Sequence, residues 1–166
     1  MSEQIVIDSL EFTRSAEVLR GKIATENLHR LRDYLFSADG VIEYELSGTV
    51  DPEGKLLLRL AISGKLYLKC QRCLGELAHD VDLVSDLLLI EDEKEFPGIT
   101  EENDAVDCIL AETEMDVLAL LEVEIILKLP ISPRHESGAC SVTGHAGDEV
   151  ARSVFAPLAA LKKSAK

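Results

Sequence analysis

The residues of this chain best suited to chemistry are Cys70 and Cys73, carried by the run Leu66-Tyr67-Leu68-Lys69-Cys70-Gln71-Arg72-Cys73-Leu74-Gly75. Two thiols with two residues between them can face one tetrahedral metal ion or pair with each other, and Gly75 lets the chain reverse at a left-handed position. One such pair is half of a zinc site. The other half must come from far along the chain. The one further region that holds both thiol and imidazole is His135-Glu-Ser-Gly-Ala-Cys140, with His145 beyond it.

Three readings of these groups stand side by side. In the first, Cys70, Cys73, His135 and Cys140 bind a structural zinc ion, because thiolates and a neutral imidazole suit that ion. His135 and Cys140 then belong to a loop, and His145 competes for the fourth place. In the second the turn is metal-free and its thiols pack or face solvent. In the third Cys70 is an attacking thiolate, which needs a helix N-terminus or a positive field to lower its pKa. Lys69 and Arg72 supply some field, but Leu74-Gly75 and a strand pattern follow Cys73 rather than a helix. Cys108 has no ligand-type neighbour at metal spacing and reads as a small buried hydrophobe. No Gly-x-Ser-x-Gly elbow, His-Glu-x-x-His helix or phosphate-cradling glycine loop occurs. The chain therefore reads as a binding module, not an enzyme, with no small-molecule substrate expected.

Composition bounds what positions these groups. A chain of 166 residues, 46% of them apolar, is long enough for one domain with a proper core, expected over residues 1–150 with a tail or helix at 151–166. Met1-Ser-Glu-Gln-Ile lacks the basic segment and apolar run of a secretory signal, and no apolar stretch reaches membrane-spanning length. A soluble cytoplasmic protein with no membrane partner is the expectation. In a reducing compartment, four cysteines point to metal, redox chemistry or burial before a disulfide framework.

The formal net charge is −14, the reverse of what phosphate-binding proteins usually show. It is uneven: between Glu91 and Asp116 eleven acids face the single Lys94, whereas Arg14, Arg20, Lys22, Arg30 and Arg32 face only Glu17 and Glu26. Contacts to RNA or a partner, if basic side chains make them, are expected from Arg30, Arg32, Lys69 and Arg72. Aromatic residues make up 4% and tryptophan is absent, so stacking platforms for single-stranded RNA are lacking.

Periodicity predicts an α+β fold: an antiparallel β-meander or partly closed sheet, an N-terminal helical segment, one largely buried helix near 114–129 and a short C-terminal helix. Gln4 to Asp8 reads as a short strand. Ser15 to Leu35 reads as helical, interrupted at Gly21, with Leu28, Leu31 and Leu35 inward and His29, Arg30 and Arg32 outward. From Val41 the period becomes two. Ile42, Tyr44 and Leu46 alternate with polar residues, Asp51-Pro-Glu-Gly54 turns, and Leu56 to Ile62 alternate again. Ser63-Gly64 is expected to turn before Leu66 and Leu68 resume. Val81, Leu83, Leu87 and Leu89 then return, placing the cysteines at a hairpin tip. Residues 91–104 read as a mobile acidic loop and 105–111 as one more strand. Thr113-Glu-Met-Asp116 has capping-box spacing ahead of an apolar helix over 117–129. Pro130 ends that helix, and Pro133 keeps the next stretch extended as a stiff strap toward His135. Phe155, Leu158 and Leu161 give a terminal helix a narrow apolar stripe.

Cys70-Gln-Arg-Cys73 on a hairpin, an acidic loop, then Asp116-Val-Leu-Ala-Leu-Leu-Glu-Val-Glu-Ile-Ile-Leu-Lys-Leu-Pro130-Ile-Ser-Pro133-Arg-His135 and a later cysteine together resemble the YceD family, the large ribosomal RNA subunit accumulation proteins of bacteria. The order and spacing of all three carry the resemblance, and Phe155-Ala-Pro-Leu-Ala-Ala-Leu-Lys-Lys163 adds an ending of the same kind. It implies a non-enzymatic cytoplasmic factor supporting synthesis, processing or stability of 23S ribosomal RNA, with a large-subunit precursor, ribosomal protein, assembly factor or the RNA itself as partner. Some relatives look to carry further cysteines after the strap; here Cys140 is present. The alternatives are a generic intracellular adaptor with a zinc knuckle and a Cys-x-x-Cys redox protein.

Overall fold

The computed structural model describes residues 5–95, 106–136 and 138–140. In chain order its elements are β1 (Val6–Ile7), α1 (Ser9–Arg14), β2 (Val18–Ala24), β3 (Leu35–Ser37), β4 (Val41–Val50), β5 (Leu56–Lys69), β6 (Glu76–Ile90), β7 (Asp107–Leu110), β8 (Met115–Asp116) and α2 (Val117–Lys128). Contacts group the chain into two units, residues 1–134 and 135–166, and the architecture below is that of the first. It is mostly sheet with few helices.

The main sheet runs β2-β4-β5-β6-β7, with β3 paired to one end of β5, and it is not closed. Its pairings are antiparallel except β6–β7, which is parallel, so the sheet is mixed rather than a pure meander. β1 and β8 form a separate antiparallel pair. Alternation puts Ile42, Tyr44, Leu46, Leu58, Leu60 and Ile62 on the inner face, all 5% exposed or less. Phe12 of α1, Leu28, Leu31, and Val117, Leu121 and Ile125 of α2 join the same core from the layer beneath.

The expected helix over Ser15 to Leu35 is wrong. β2 occupies its first part, and two short 3-10 turns, Thr25–Asn27 and His29–Leu31, occupy the second. The burial was nonetheless read correctly: Leu28 and Leu31 are fully buried and Leu35 nearly so, because one or two tight turns meet a three-residue repeat as well as an α-helix does. Gly21 interrupts no helix. It sits opposite Tyr44, whose ring fills the space a Cβ would need. The helix actually present, α1, starts earlier, with Asp8 accepting from the amides of Leu10 and Glu11 at 3.1 and 3.0 Å.

The expected reversal at Ser63-Gly64 does not occur either. β5 runs straight through fourteen residues, and Gly64 is needed because a Cβ there would collide with the Val41 carbonyl oxygen of β4. The Asp51–Gly54 turn is as read, with Gly54 at φ 83°. The expected cap at Thr113 is displaced: Asp116 caps α2, accepting from Leu118 and Ala119 at 2.9 and 3.2 Å, while Met115–Asp116 pair with β1. Cys108 lies in β7 opposite Leu88 and is half-buried rather than buried. Of the loop read over 91–104, residues 91–95 are described and include a 3-10 turn at Glu93–Glu95; 96–104, the C-terminal helix at 151–166 and His145 lie outside the described residues.

On the outer face of the sheet charges pair across strands: Arg20 with Glu45, Lys22 with Glu43, Arg59 with Asp86 and Lys65 with Asp80. The Arg59 guanidinium donates to both oxygens of Asp86 at 2.7 and 2.8 Å and holds that carboxyl below the usual carboxylate range, against the opposing effect of its partial burial. A depressed folded-state pKa contributes stability that is complete above the unfolded value of about 4 and is lost as pH falls through the folded one. Asp86→Asn is therefore expected to lower stability at pH 7 by at most about 1 kcal/mol, since both groups are partly solvated. Urea unfolding should show that gap closing as pH falls below the unfolded value of about 4.

Candidate functional site

The thiol pair sits where the hairpin pattern puts it. Register runs without slip to Lys69↔Glu76, so residues 70–75 form the tip between β5 and β6. Within that tip the Leu74 amide donates to the Cys70 carbonyl and the Cys70 amide donates to the Gly75 carbonyl, each at 2.9 Å. The sharp bend places Leu74, not Gly75, at positive φ, 60°. Cys70 is fully buried and Cys73 half-buried.

The strap arrives at this tip by a backbone contact. Leu129 leaves α2 in an extended conformation (ψ 143°) ahead of Pro130, and the Gln71 amide donates to the Pro133 carbonyl at 2.8 Å. His135 follows two residues later. His135 Nδ1 and Cys140 Sγ are 3.5 Å apart, and Gly138, at φ 91°, takes the left-handed turn between them. The ligand atoms of Cys70, Cys73, His135 and Cys140 all lie within 4.8 Å of one another.

A zinc ion with bonds of about 2.3 Å to sulfur and 2.0 Å to nitrogen needs ligand atoms about 3.4–3.8 Å apart. The cluster is thus close to that size and has the donor types that ion prefers. A thiolate nucleophile, by contrast, needs exposure and a helix N-terminus or strong positive field. Cys70 has no exposure, and the tip leads into β6 rather than a helix.

The basic residues expected at a contact surface are placed as follows. Arg30 lies in the second 3-10 turn, its amide donating to Glu122 Oε1 at 2.8 Å and its guanidinium 3.8 Å from Glu122 Oε2. Arg32 follows that turn and is exposed. Lys69 closes β5, with its amide donating to the Tyr34 carbonyl at 3.3 Å, which brings the stretch just after Arg32 beside the start of the tip. Arg72 is in the tip itself. Of these, the ties of Arg30 to α2 had no signal in the sequence, since they depend on Glu122 being buried.

The family profile described as "Large ribosomal RNA subunit accumulation protein YceD" matches residues 58–163, well over half of the chain. The chain belongs to the YceD family. A curated YceD relative, the large ribosomal RNA subunit accumulation protein YceD of Haemophilus influenzae, is 27% identical over 154 residues, covering 86% of each chain. No solved structure matches. The stretch matched to YceD includes all four residues of the cluster, the strap and α2. Among the described residues no helix is long and apolar enough to cross a membrane.

Burial orders the reactivity of the thiols. In the reduced, chelator-treated chain, iodoacetamide followed by peptide mass spectrometry should label Cys73 and Cys140 before Cys70, which is fully enclosed. Labelling of Cys70 first would contradict the packing of the tip.

Proposed function

We propose that the chain is a non-enzymatic cytoplasmic factor that supports the synthesis, processing or stability of 23S ribosomal RNA by binding a partner on the assembly path of the large ribosomal subunit. Family membership carries this reading, together with the name of the Haemophilus influenzae relative. The partner is a basic protein of that path, ribosomal or assembly-related, in preference to bare RNA. A net charge of −14 repels phosphate and attracts such proteins. The bases on the outer sheet face support the same preference, because they are already paired with acids across the strands.

In this reading the Cys70, Cys73, His135 and Cys140 cluster holds one zinc ion with a structural role. Neutral imidazole and thiolate ligands would pin the strap to the hairpin tip and stiffen both for binding.

Elemental analysis of the chain purified under reducing conditions is expected to give one zinc per chain. Cys73→Ser should weaken affinity by more than the about 10–100-fold that loss of a supporting group costs. A metal-free chain with a thiol titrating well below neutral would replace this reading with the redox one. The partner class is tested separately by binding to 23S fragments across a salt series and by sedimentation with large-subunit precursors. Weak RNA binding and co-sedimentation are expected. Tight RNA binding with a steep salt slope would overturn the preference for a protein, and absence from precursor fractions would overturn the ribosomal reading.

A further inference from the structure

α2 has an inverted polarity. Its two glutamates point inward, Glu122 at 6% and Glu124 at 4% exposure, while Val123 and Leu127 stand out at 38% and 69%. At 100° per residue, Ala119, Leu120, Val123, Ile126 and Leu127 fall within one stripe roughly 120° wide, and Pro130 and the fully exposed Ile131 prolong it. The helix is largely buried, as expected, but this side of it is open.

Each end of the stripe opens into a hollow of about 370 Å³. At the first end Leu120 and Val123 face Ile109 and Met115, with the exposed Glu112 and Glu114 on the rim. At the other end Ile126, Leu129 and Ile131 face Tyr34 and Leu68, with Asp33 on the rim. Arg30, the base lining the first hollow, is drawn to Glu122, whereas at the second Asp33 has the exposed Arg32 beside it and Arg134 adjoins Pro133. An apolar ridge this exposed is unusual on a surface that stays in water, and the carboxylates at its first end bear on what can cover it.

The geometry points to this side of α2 as the docking stripe for a basic amphipathic segment of a partner protein, with apolar anchors at helical spacing and lysine or arginine flanking them. This rests on the reading above that the partner is a protein, and names the surface and the chemistry. At the first end phosphate backbones and anionic lipid headgroups would meet the Glu112 and Glu114 carboxylates with like charge, as would a second copy of a chain of net charge −14. A helix laid along an apolar stripe with a charge-matched end is a common peptide-recognition mode.

The probe is a fluorescein-labelled 18-residue leucine/lysine helix with leucine at three- and four-residue spacing. One control scrambles the same residues, and the other replaces lysine with glutamate. Anisotropy with the full chain should show binding of the probe and at least tenfold weaker binding of both controls. Leu127→Glu, and separately Glu112→Lys with Glu114→Lys, should each weaken the probe at least tenfold with unchanged circular-dichroism melting. Equal binding of the scrambled control, no binding at all, or indifference to Leu127→Glu would overturn the proposal. So would a dimer that Leu127→Glu dissociates, which would assign the stripe to a second copy. Sedimentation separates this from the broader reading. If wild type and Leu127→Glu both travel with large-subunit precursors, the stripe is wrong and that reading stands. If neither travels, both fall.

Discussion

One uninterrupted register joins β5 to β6, from Leu57↔Leu88 to Lys69↔Glu76, and most of what the molecule presents depends on it. Strand side chains alternate with a period of two, so slipping this pairing by one residue would turn either Leu58, Leu60, Ile62, Leu66 and Leu68 out of the core or the acids of β6 into it. The hydrophobic penalty fixes the register, and the register fixes the place of the bend. Gly64 is the local requirement: β5 passes so close to the Val41 carbonyl that no side chain fits. The cysteines are thereby carried to the end of two strands of fourteen and fifteen residues.

The sheet was legible where one face is wet. β4, β5 and β6 announce themselves by alternation, and the Asp51–Gly54 turn by residue type, because both signals are local. What failed was local evidence overridden by packing. Leu28, Leu31 and Leu35 repeat at a spacing that α-helix and 3-10 turns share, so burial was readable and the secondary structure was not. Gly21 and Gly64 looked like breaks, yet each makes room for a neighbouring strand, a fact visible only across the pairing. Thr113 has capping-box spacing, yet Met115–Asp116 pair with β1 and the helix starts after them, which leaves the cap to Asp116.

The candidate cluster was legible for a different reason. Thiol and imidazole are scarce in this chain, so the groups able to share an ion form a short roster even when far apart in sequence. Residue type narrowed the groups that could meet to Cys70, Cys73 and Cys140 with His135 or His145; how the strap reaches the bend was not readable, because the Gln71 amide contacts a proline carbonyl that carries no sequence signature. The polarity of α2 was hidden on the same ground. Glu122 and Glu124 look like surface residues until the amide of Arg30 is seen to face Glu122, and no pattern along the helix announces a partner outside it.

The segment from Leu129 to His135 behaves as a ruler. Prolines at 130 and 133 remove most of its bending freedom, and one end is set by the last turn of α2 while the Gln71 contact sets the other. With no slack between those two fixed points, a residue inserted here would not be absorbed as a bulge in the strap. It would carry the Pro133 carbonyl away from the Gln71 amide, so the fold constrains the length of this stretch more tightly than its composition.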